Sequence, residues 1–151
     1  MPNQDEISLI NGGLAVDDRG TTSYVNEFNF IGVKRFYQVS NFSPSIIRAF
    51  HGHLKEAKYV YVAKGSAIIA VVKLDDMEKP SKNLEIKRFI LSELKPQVLY
   101  IPPKHANGFK PLEDNTSLIF FSSVRLEESQ GDDYRFPYDY WGKEIWDVEN
   151  R

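Results

Sequence analysis

The chain of 151 residues contains no cysteine. Disulfide frameworks and thiolate chemistry are therefore excluded. Long apolar runs are also lacking, since the longest, such as Ala67 to Val72, are far too short to span a bilayer. Met1 to Glu6 is mostly polar and offers no apolar run that could act as a signal peptide. From these absences we expect a soluble cytoplasmic protein.

An excess of charge of one sign is missing as well. The formal net charge is −2, and the apolar fraction of 42% and charged fraction of 26% are ordinary for a globular protein. There is no long basic run and no Gly-rich phosphate loop, so nothing predicts a general attraction to nucleic acid or to anionic membranes. An anionic ligand would have to be held by local cations. The length predicts a single domain over residues 1–151, with its core at about residues 17–124.

The sequence is rich in short β-branched and aromatic runs separated by turn residues, and no long helical periodicity interrupts them. Several runs, notably Ala67–Leu74, are apolar on both faces, which suits a closed barrel or a double-sheet sandwich. We therefore expect an all-β jelly-roll barrel with a short aromatic C-terminal appendage from Asp132 onwards. The predicted strands are Thr22–Val25, Gly32–Val39, Ile46–His53, Lys58–Ala63, Ala67–Leu74, Leu84–Leu91, Val98–Ile101 and Ser117–Ser123.

The segment with the most chemistry is Arg48-Ala49-Phe50-His51-Gly52-His53, with Lys58 five residues beyond it. Residues two apart on a strand share a face, so His51 and His53 should point together into the barrel, with Ala49 beside them. A neutral imidazole near an ammonium can accept a proton, and the ammonium can stabilise an oxyanion. The alternative is a pair of hydrogen-bonded interior histidines that serve packing alone.

Arginines offer the local cations that an anionic ligand needs. Arg19, Arg35 and Arg48 each carry a planar fork of donors that suits phosphate oxygens. Each could instead be a solvated surface arginine beside a carboxylate. Tyr37 could stack on a base or sugar, or donate a phenolic proton, although most tyrosines of a β-protein belong to its core.

The spacing from His51 to Gly65 resembles that of metal-binding cupin barrels, with two departures. Lys58 stands at the position of the glutamate ligand. In Pro102-Pro103-Lys104-His105-Ala106-Asn107, Asn107 stands where the last histidine ligand would be. A lysine ammonium would repel a divalent cation. The chain thus resembles a cupin that has kept the pocket without the metal. We expect no metal and no cofactor, which disfavours a metal-dependent oxygenase.

The motifs further resemble two families that act on nucleotide-linked 4-keto-6-deoxy sugars, the dTDP-sugar 3,4-ketoisomerases and the dTDP-4-dehydrorhamnose 3,5-epimerases. The resemblance covers most of Asp17 to Ser123. The epimerase pattern places its catalytic base on His51 and its lysine on Lys58. The segments that carry the resemblance are Asp17-Asp18-Arg19-Gly20, Lys34-Arg35-Phe36-Tyr37, Arg48 to His53, Ile101-Pro102-Pro103 and Asn107-Gly108-Phe109.

This resemblance implies a cofactor-independent carbohydrate isomerase or epimerase for a dTDP-4-keto-6-deoxyhexose, in deoxysugar and polysaccharide biosynthesis. His51 would remove the proton next to the C4 ketone, Lys58 would stabilise the enolate, and His53 or a tyrosine would return a proton. The implied substrate-binding residues are Arg19, Arg35, Tyr37, Gln38, Asn41, Arg48 and Asn107, and the implied partner of the catalytic histidine is Asp139.

The epimerases' acid tyrosine, expected near Leu126, is missing from this sequence. Epimerisation and a 3,4-keto shift therefore both stay open, and so does a non-catalytic role in binding a sugar nucleotide. The related families pair as dimers, which implies a homodimer in which Arg19 reaches the neighbouring pocket.

Overall fold

The computed structural model describes residues 4–151, which form two five-stranded antiparallel sheets and a separate two-stranded hairpin. A short helix, α1 (Leu126–Gln130), and a 3₁₀ turn at Lys143–Trp146 follow the sheets. No helix within residues 4–151 is long and apolar enough to cross a membrane. The strands are β1 (Ser8–Asn11), β2 (Gly13–Asp17), β3 (Gly20–Tyr24), β4 (Arg35–Ser40), β5 (Arg48–His53), β6 (Lys58–Lys64), β7 (Ser66–Lys73), β8 (Ile86–Ser92), β9 (Gln97–Ile101), β10 (His105–Pro111), β11 (Ser117–Ser122) and β12 (Tyr134–Arg135).

The strand order confirms the predicted all-β jelly roll. The first sheet runs β1-β9-β6-β11-β4 and the second runs β12-β5-β10-β7-β8, while β2 and β3 form the hairpin. Apart from β7 and β8, neighbours in the two five-stranded sheets are not consecutive in sequence, as in β1 with β9 and β12 with β5. Elements outside the predicted core of residues 17–124 are therefore hydrogen-bonded into both sheets.

The core lies between the sheets because their strands alternate inward and outward side chains. Val60 and Val62 of β6 point inward, and Ile69 and Val71 of β7 meet them from the other sheet; all four are buried. Phe109 of β10 completes this layer. The apolar filling occupies the middle of the barrel and leaves polar side chains at its end.

The C-terminal segment covers the outer face of the second sheet, as the aromatic appendage predicted. Phe136, Trp141 and Trp146 pack against Phe50 of β5, and all four are buried. The two indole N–H groups donate to the backbone carbonyls of Ser81 and Tyr138, each at 2.9 Å. Because both faces of the second sheet are covered, its strands are apolar on both sides.

Candidate active site

Polar side chains converge at one end of the barrel from both sheets. β5 and β10 of the second sheet bring His51 opposite Asn107. β4, β11 and β6 of the first sheet bring Arg35 and Lys58 to either side of Ser122. Cross-strand partners share a face of the sheet, so these residues surround one opening between the sheets.

A register shift in β5 decides which neighbours accompany the histidines. Between Asn107 and Phe109 of β10 the pairing slips, so that Arg48 rather than Ala49 lies opposite Phe109. Ala49 packs with the outer cluster around Phe50. The expectation that Ala49 shares the face of His51 is therefore corrected, because the extra residue of a β-bulge reverses the alternation.

His51 is part-exposed at the opening. Its Nδ1 lies 3.6 Å from Oδ1 of Asp133, whose Oδ2 accepts a hydrogen bond of 2.9 Å from Nε of Arg135. Burial, followed by the positive charge of Lys58, lowers the pKa of His51 below its ordinary value of 6.5, although Asp133 opposes the shift. His51 is therefore a neutral imidazole near pH 7, with a carboxylate close enough to stabilise it after it takes a proton.

The acidic partner of His51 is thus Asp133, and not Asp139 as the resemblance implied. Asp139 is exposed, and the contact it makes is a hydrogen bond from the Gly142 backbone N–H to its carbonyl oxygen. Asp133 reaches His51 because β12 pairs with β5 immediately after it. No sequence signal marks this short pairing.

His53 is buried and has a defined tautomer. Its Nδ1 contacts the backbone carbonyl oxygen of Asp132, which can only accept, so Nδ1 carries the proton and Nε2 is the unprotonated nitrogen. This Nε2 is buried and has no hydrogen-bond partner among the described residues. Burial and then the charge of Lys58 lower the pKa of His53. A second free base is thereby placed beside the first.

Asp132 also fixes the turn that joins β5 to β6. Its buried carboxylate accepts the backbone N–H groups of Leu54, Lys55 and Glu56 at 2.7, 2.9 and 3.1 Å. The sequence analysis did not identify Asp132, because no local pattern at Asp132-Asp133 predicts hydrogen bonds with a turn more than 70 residues earlier. The turn it holds sets the positions of the histidines and Lys58.

Lys58 is buried, with its ammonium 5.8 Å from the ring centroid of Tyr37 and 5.7 Å from that of Phe120. Within residues 4–151 no carboxylate forms an ion pair with this ammonium, and the ammonium makes no hydrogen bond there. An unpaired ammonium over aromatic faces is well placed to receive developing negative charge.

Tyr37 and Arg35 line the wall that faces the histidines. The Tyr37 ring stacks on Phe120 at 5.2 Å and 7°, and the Arg35 guanidinium lies 5.1 Å from the Tyr37 centroid. At the end of β4 away from Arg35, Nε of Arg48 donates to Oδ1 of Asn41 at 2.6 Å, and the Asn41 amide donates to the Ile46 carbonyl at 3.0 Å. Three predicted substrate-binding residues, Arg35, Tyr37 and Asn107, therefore line the opening, while Asn41 and Arg48 meet where β4 ends and β5 begins.

Two further predicted binding residues, Arg19 and Gln38, are not brought there either. Arg19 lies at the tip of the β2–β3 hairpin, where its exposed guanidinium pairs with Asp17 at 2.6 Å. Gln38 follows Tyr37 on β4 and points to the opposite face, where its amide contacts the hydroxyl of Ser117. Strand alternation thus separates Gln38 from the pocket of its own chain.

No tyrosine stands at the two positions where the acid tyrosine of the epimerases could be sought, Leu126 and the inward face of β11. Leu126 begins α1 and is 56% exposed, so it does not face the histidines. On β11 the inward side chain near Lys58 is Phe120, which has no proton to give. Tyr37 is the phenol that the structure brings to this wall instead.

The arrangement of bases, ammonium and guanidinium can be compared with known proteins. A family model described as dTDP-4-dehydrorhamnose 3,5-epimerase matches residues 5–135. The chain belongs to this family. The predicted family and class of activity, epimerases and isomerases of nucleotide-linked sugars, are thereby confirmed.

Relatives and solved structures agree with this family. A probable low-salt glycan biosynthesis epimerase, Agl13 of Haloferax volcanii, is 27% identical, with 96% of this chain and 99% of the relative covered. The 3,5-epimerase of Sulfolobus tokodaii has a TM-score of 0.70 at 25% identity, covering 89% of this chain and 78% of that chain. The QdtA 3,4-ketoisomerase of Thermoanaerobacterium thermosaccharolyticum, solved with TDP, has a TM-score of 0.65 at 24% identity, covering 92% and 93%.

Proposed function

We propose that the protein is a cofactor-independent isomerase of a dTDP-linked 4-keto-6-deoxyhexose, with His51 as the base. The observation that carries the proposal is the convergence of two neutral imidazoles on one unpaired ammonium. Among structures of similar fold, the QdtA ketoisomerase was solved with TDP and the ChmJ 3'-monoepimerase with dTDP-quinovose. A glycan biosynthesis epimerase and a spore coat polysaccharide biosynthesis protein are curated relatives, which supports a role in polysaccharide precursors.

The first step is removal of the C3 proton by His51. The C3–H electron pair forms the C3–C4 double bond, and the C4 carbonyl electrons move to its oxygen, whose negative charge Lys58 stabilises. The proton stays on the imidazole as imidazolium, which Asp133 at 3.6 Å stabilises. No oxidant or reductant is needed, because the product is an isomer of the substrate.

The second step distinguishes two outcomes. In a 3,4-keto shift the imidazolium proton goes to carbon C4, and the C3 hydroxyl proton passes to the C4 enolate oxygen, so that C3 becomes the ketone and C4 carries the hydroxyl. In epimerisation the proton returns to the opposite face of C3. His51 and His53 lie on the same sheet face, which favours movement of a proton along one face of the sugar and thus the keto shift. Epimerisation is the second candidate, because Tyr37 stands on the facing sheet.

We assign the substrate's diphosphate to the exposed Arg48 at the start of β5, with Asn41 holding its guanidinium. Arg35 and Tyr37 face the sugar from the first sheet, and Asn107 lies beside His51 on the second. The sequence-based hypothesis of a non-catalytic sugar-nucleotide protein would use the same groups without proton transfer. The reaction is proposed to need no metal, because the Lys58 ammonium occupies the charge position that a cation would take.

A homodimer is part of the proposal and rests on the outer face of the first sheet. Phe28, Phe30, Phe36, Tyr59 and Phe121 form an outer aromatic surface, in which neighbouring ring centroids lie 4.7 to 6.3 Å apart. Phe30 and Phe36 are 61% and 67% exposed. Such a surface on a sheet suits a second copy of the chain. The exposed hairpin would then let Arg19 reach the partner.

The cytoplasm stays the predicted compartment on the sequence evidence alone. Neither the dimer nor the location enters the chemistry of the first proton transfer. Both can therefore fail without affecting the assignment of His51.

The test is ¹H NMR of dTDP-4-keto-6-deoxyglucose in heavy water with protein dialysed against a chelator. Loss of the C3 proton signal and a 3-keto product with deuterium at C4 are expected for the keto shift. Deuterium at both C3 and C5 with retention of the C4 ketone would establish epimerisation instead. No deuterium at any carbon would overturn catalysis and leave the binding alternative, and activity that returns only with added metal would overturn the metal-free mechanism.

A further inference from the structure

Glu56 is a fully buried carboxylate that the sequence analysis did not single out. Its side chain is 0% exposed, in the turn between β5 and β6. Oε2 accepts the hydroxyl of Ser122 at 2.8 Å, and Oε1 accepts the hydroxyl of Ser129 at 2.6 Å. Each oxygen is thus held by one hydroxyl, from β11 and α1 respectively, so the carboxylate has little freedom to move.

The same two oxygens face functional groups from both sheets. Oε2 lies 3.5 Å from Nη2 of Arg35 on β4, and Oε1 lies 3.7 Å from Nδ1 of His53 on β5. A buried carboxylate is stable only when cations and donors surround it. Arg35 is the cation in contact with Glu56, while His53 presents its protonated nitrogen. One carboxylate therefore joins the two walls of the opening.

We propose that Glu56 is a positioning residue for this reaction: it holds Arg35 against the substrate pocket and keeps the proton of His53 on Nδ1, so that Nε2 faces the sugar as a base. The inference deepens the proposed function and rests on it. When Nε2 takes a proton, the positive charge of the ring lies beside Oε1, which stabilises it as an acidic partner stabilises an imidazolium.

The charged groups around His53 determine in which direction its pKa changes when Glu56 is removed. Lys58 faces the ring with a positive charge, while Glu56 and Asp132 face it with carboxylates, and the Asp132 carbonyl accepts the Nδ1 proton. Among the described residues, these are the charged groups that act on the ring. Without the negative charge of Glu56, less negative charge opposes the effect of Lys58 on His53. The imidazolium form of His53 is then less stable, and its pKa falls further.

The test is an NMR pH titration of ¹⁵N-labelled histidines in Glu56→Gln, with Glu93→Gln as the matched control. Glu93 also accepts a hydrogen bond, from the Gly65 backbone N–H, at the end of β6 far from Lys58. We expect the His53 midpoint to move to lower pH in Glu56→Gln and to stay in place in Glu93→Gln. The kcat of Glu56→Gln on the keto sugar should fall by roughly tenfold, the usual effect of losing a group that orients a catalytic side chain.

An unchanged His53 midpoint in a folded Glu56→Gln protein would overturn the proposal, whatever happens to stability. If the single variant does not fold because the part-buried Arg35 is left unpaired, Arg35→Gln/Glu56→Gln removes both charges together. The His53 midpoint should still fall in that variant, and a midpoint equal to the parent value overturns the inference. The titration needs no substrate, so it decides the role of Glu56 even if the parent protein turns over no keto sugar.

Discussion

At the scale of single residues, the chemistry depends on how Lys58 and the histidines set one another's charge. Burial lowers the pKa of His51 and of His53, and Lys58 is the next largest cause for each. A base must be neutral to accept a proton, so activity is lost as pH falls through the pKa of His51. Because this pKa lies below 6.5, the acid limb of kcat/KM should also lie below 6.5.

Lys58→Met tests this coupling. Loss of the ammonium raises the pKa of His51, so the acid limb of kcat/KM moves to higher pH. The kcat should also fall by about a hundredfold or more, because the enolate loses its electrostatic partner. Lys55→Met is the matched control, since Lys55 is exposed in the adjoining turn. An acid limb that coincides in the two variants would show that Lys58 does not act on the base.

At the scale of elements, the strands that the sequence predicts differ in residue composition from the strand β10 that it does not predict. The eight predicted strands carry β-branched or aromatic runs, and all eight are present within one to three residues of the predicted ends. β10 lies at the centre of the second sheet but is absent from the predicted strands, because Asn107, Gly108 and Pro111 are residues that strands disfavour. A Cβ at Gly108 would lie 2.3 Å from that of Ala49, so glycine marks a close approach of two strands.

The site residues that the sequence analysis did not identify are held by short strand pairings or by single hydrogen bonds between distant segments. His51, Lys58 and Asn107 are identified by their spacing along the chain, and the two sheets bring them to one opening. Asp133 depends on the two-residue strand β12, and Glu56 on hydroxyls from β11 and α1. Such contacts across more than 60 residues have no local pattern to read.

At the scale of the whole molecule, the outer aromatic surface predicts a dimer. Phe36 lies on the edge strand β4 and is 67% exposed, so Phe36→Ser should leave the fold intact while weakening association. We expect the dimer dissociation constant to rise by about thirtyfold, the effect of losing one well-packed aromatic anchor. Light scattering and sedimentation over a micromolar concentration series measure it.

Leu94→Ser provides the control for this prediction. Leu94 is 76% exposed in the turn between β8 and β9, outside the aromatic surface. Equal dissociation constants for the two variants would place the interface elsewhere, and a monomeric parent at micromolar concentration would refute the dimer itself.

The central claim is that His51 removes the proton next to the ketone, and deuterium exchange at C3 of the keto sugar tests it most directly. The comparison is between His51→Asn and His105→Asn. His105 is buried, bonds to the Pro103 carbonyl at 2.8 Å and lines a separate cavity with Lys73 and Lys87. Exchange at equal thermal stability should fall by roughly a hundredfold or more in His51→Asn, the usual worth of a positioned base, and stay near the parent rate in His105→Asn. A His51→Asn protein that exchanges C3 as fast as the parent would contradict the account.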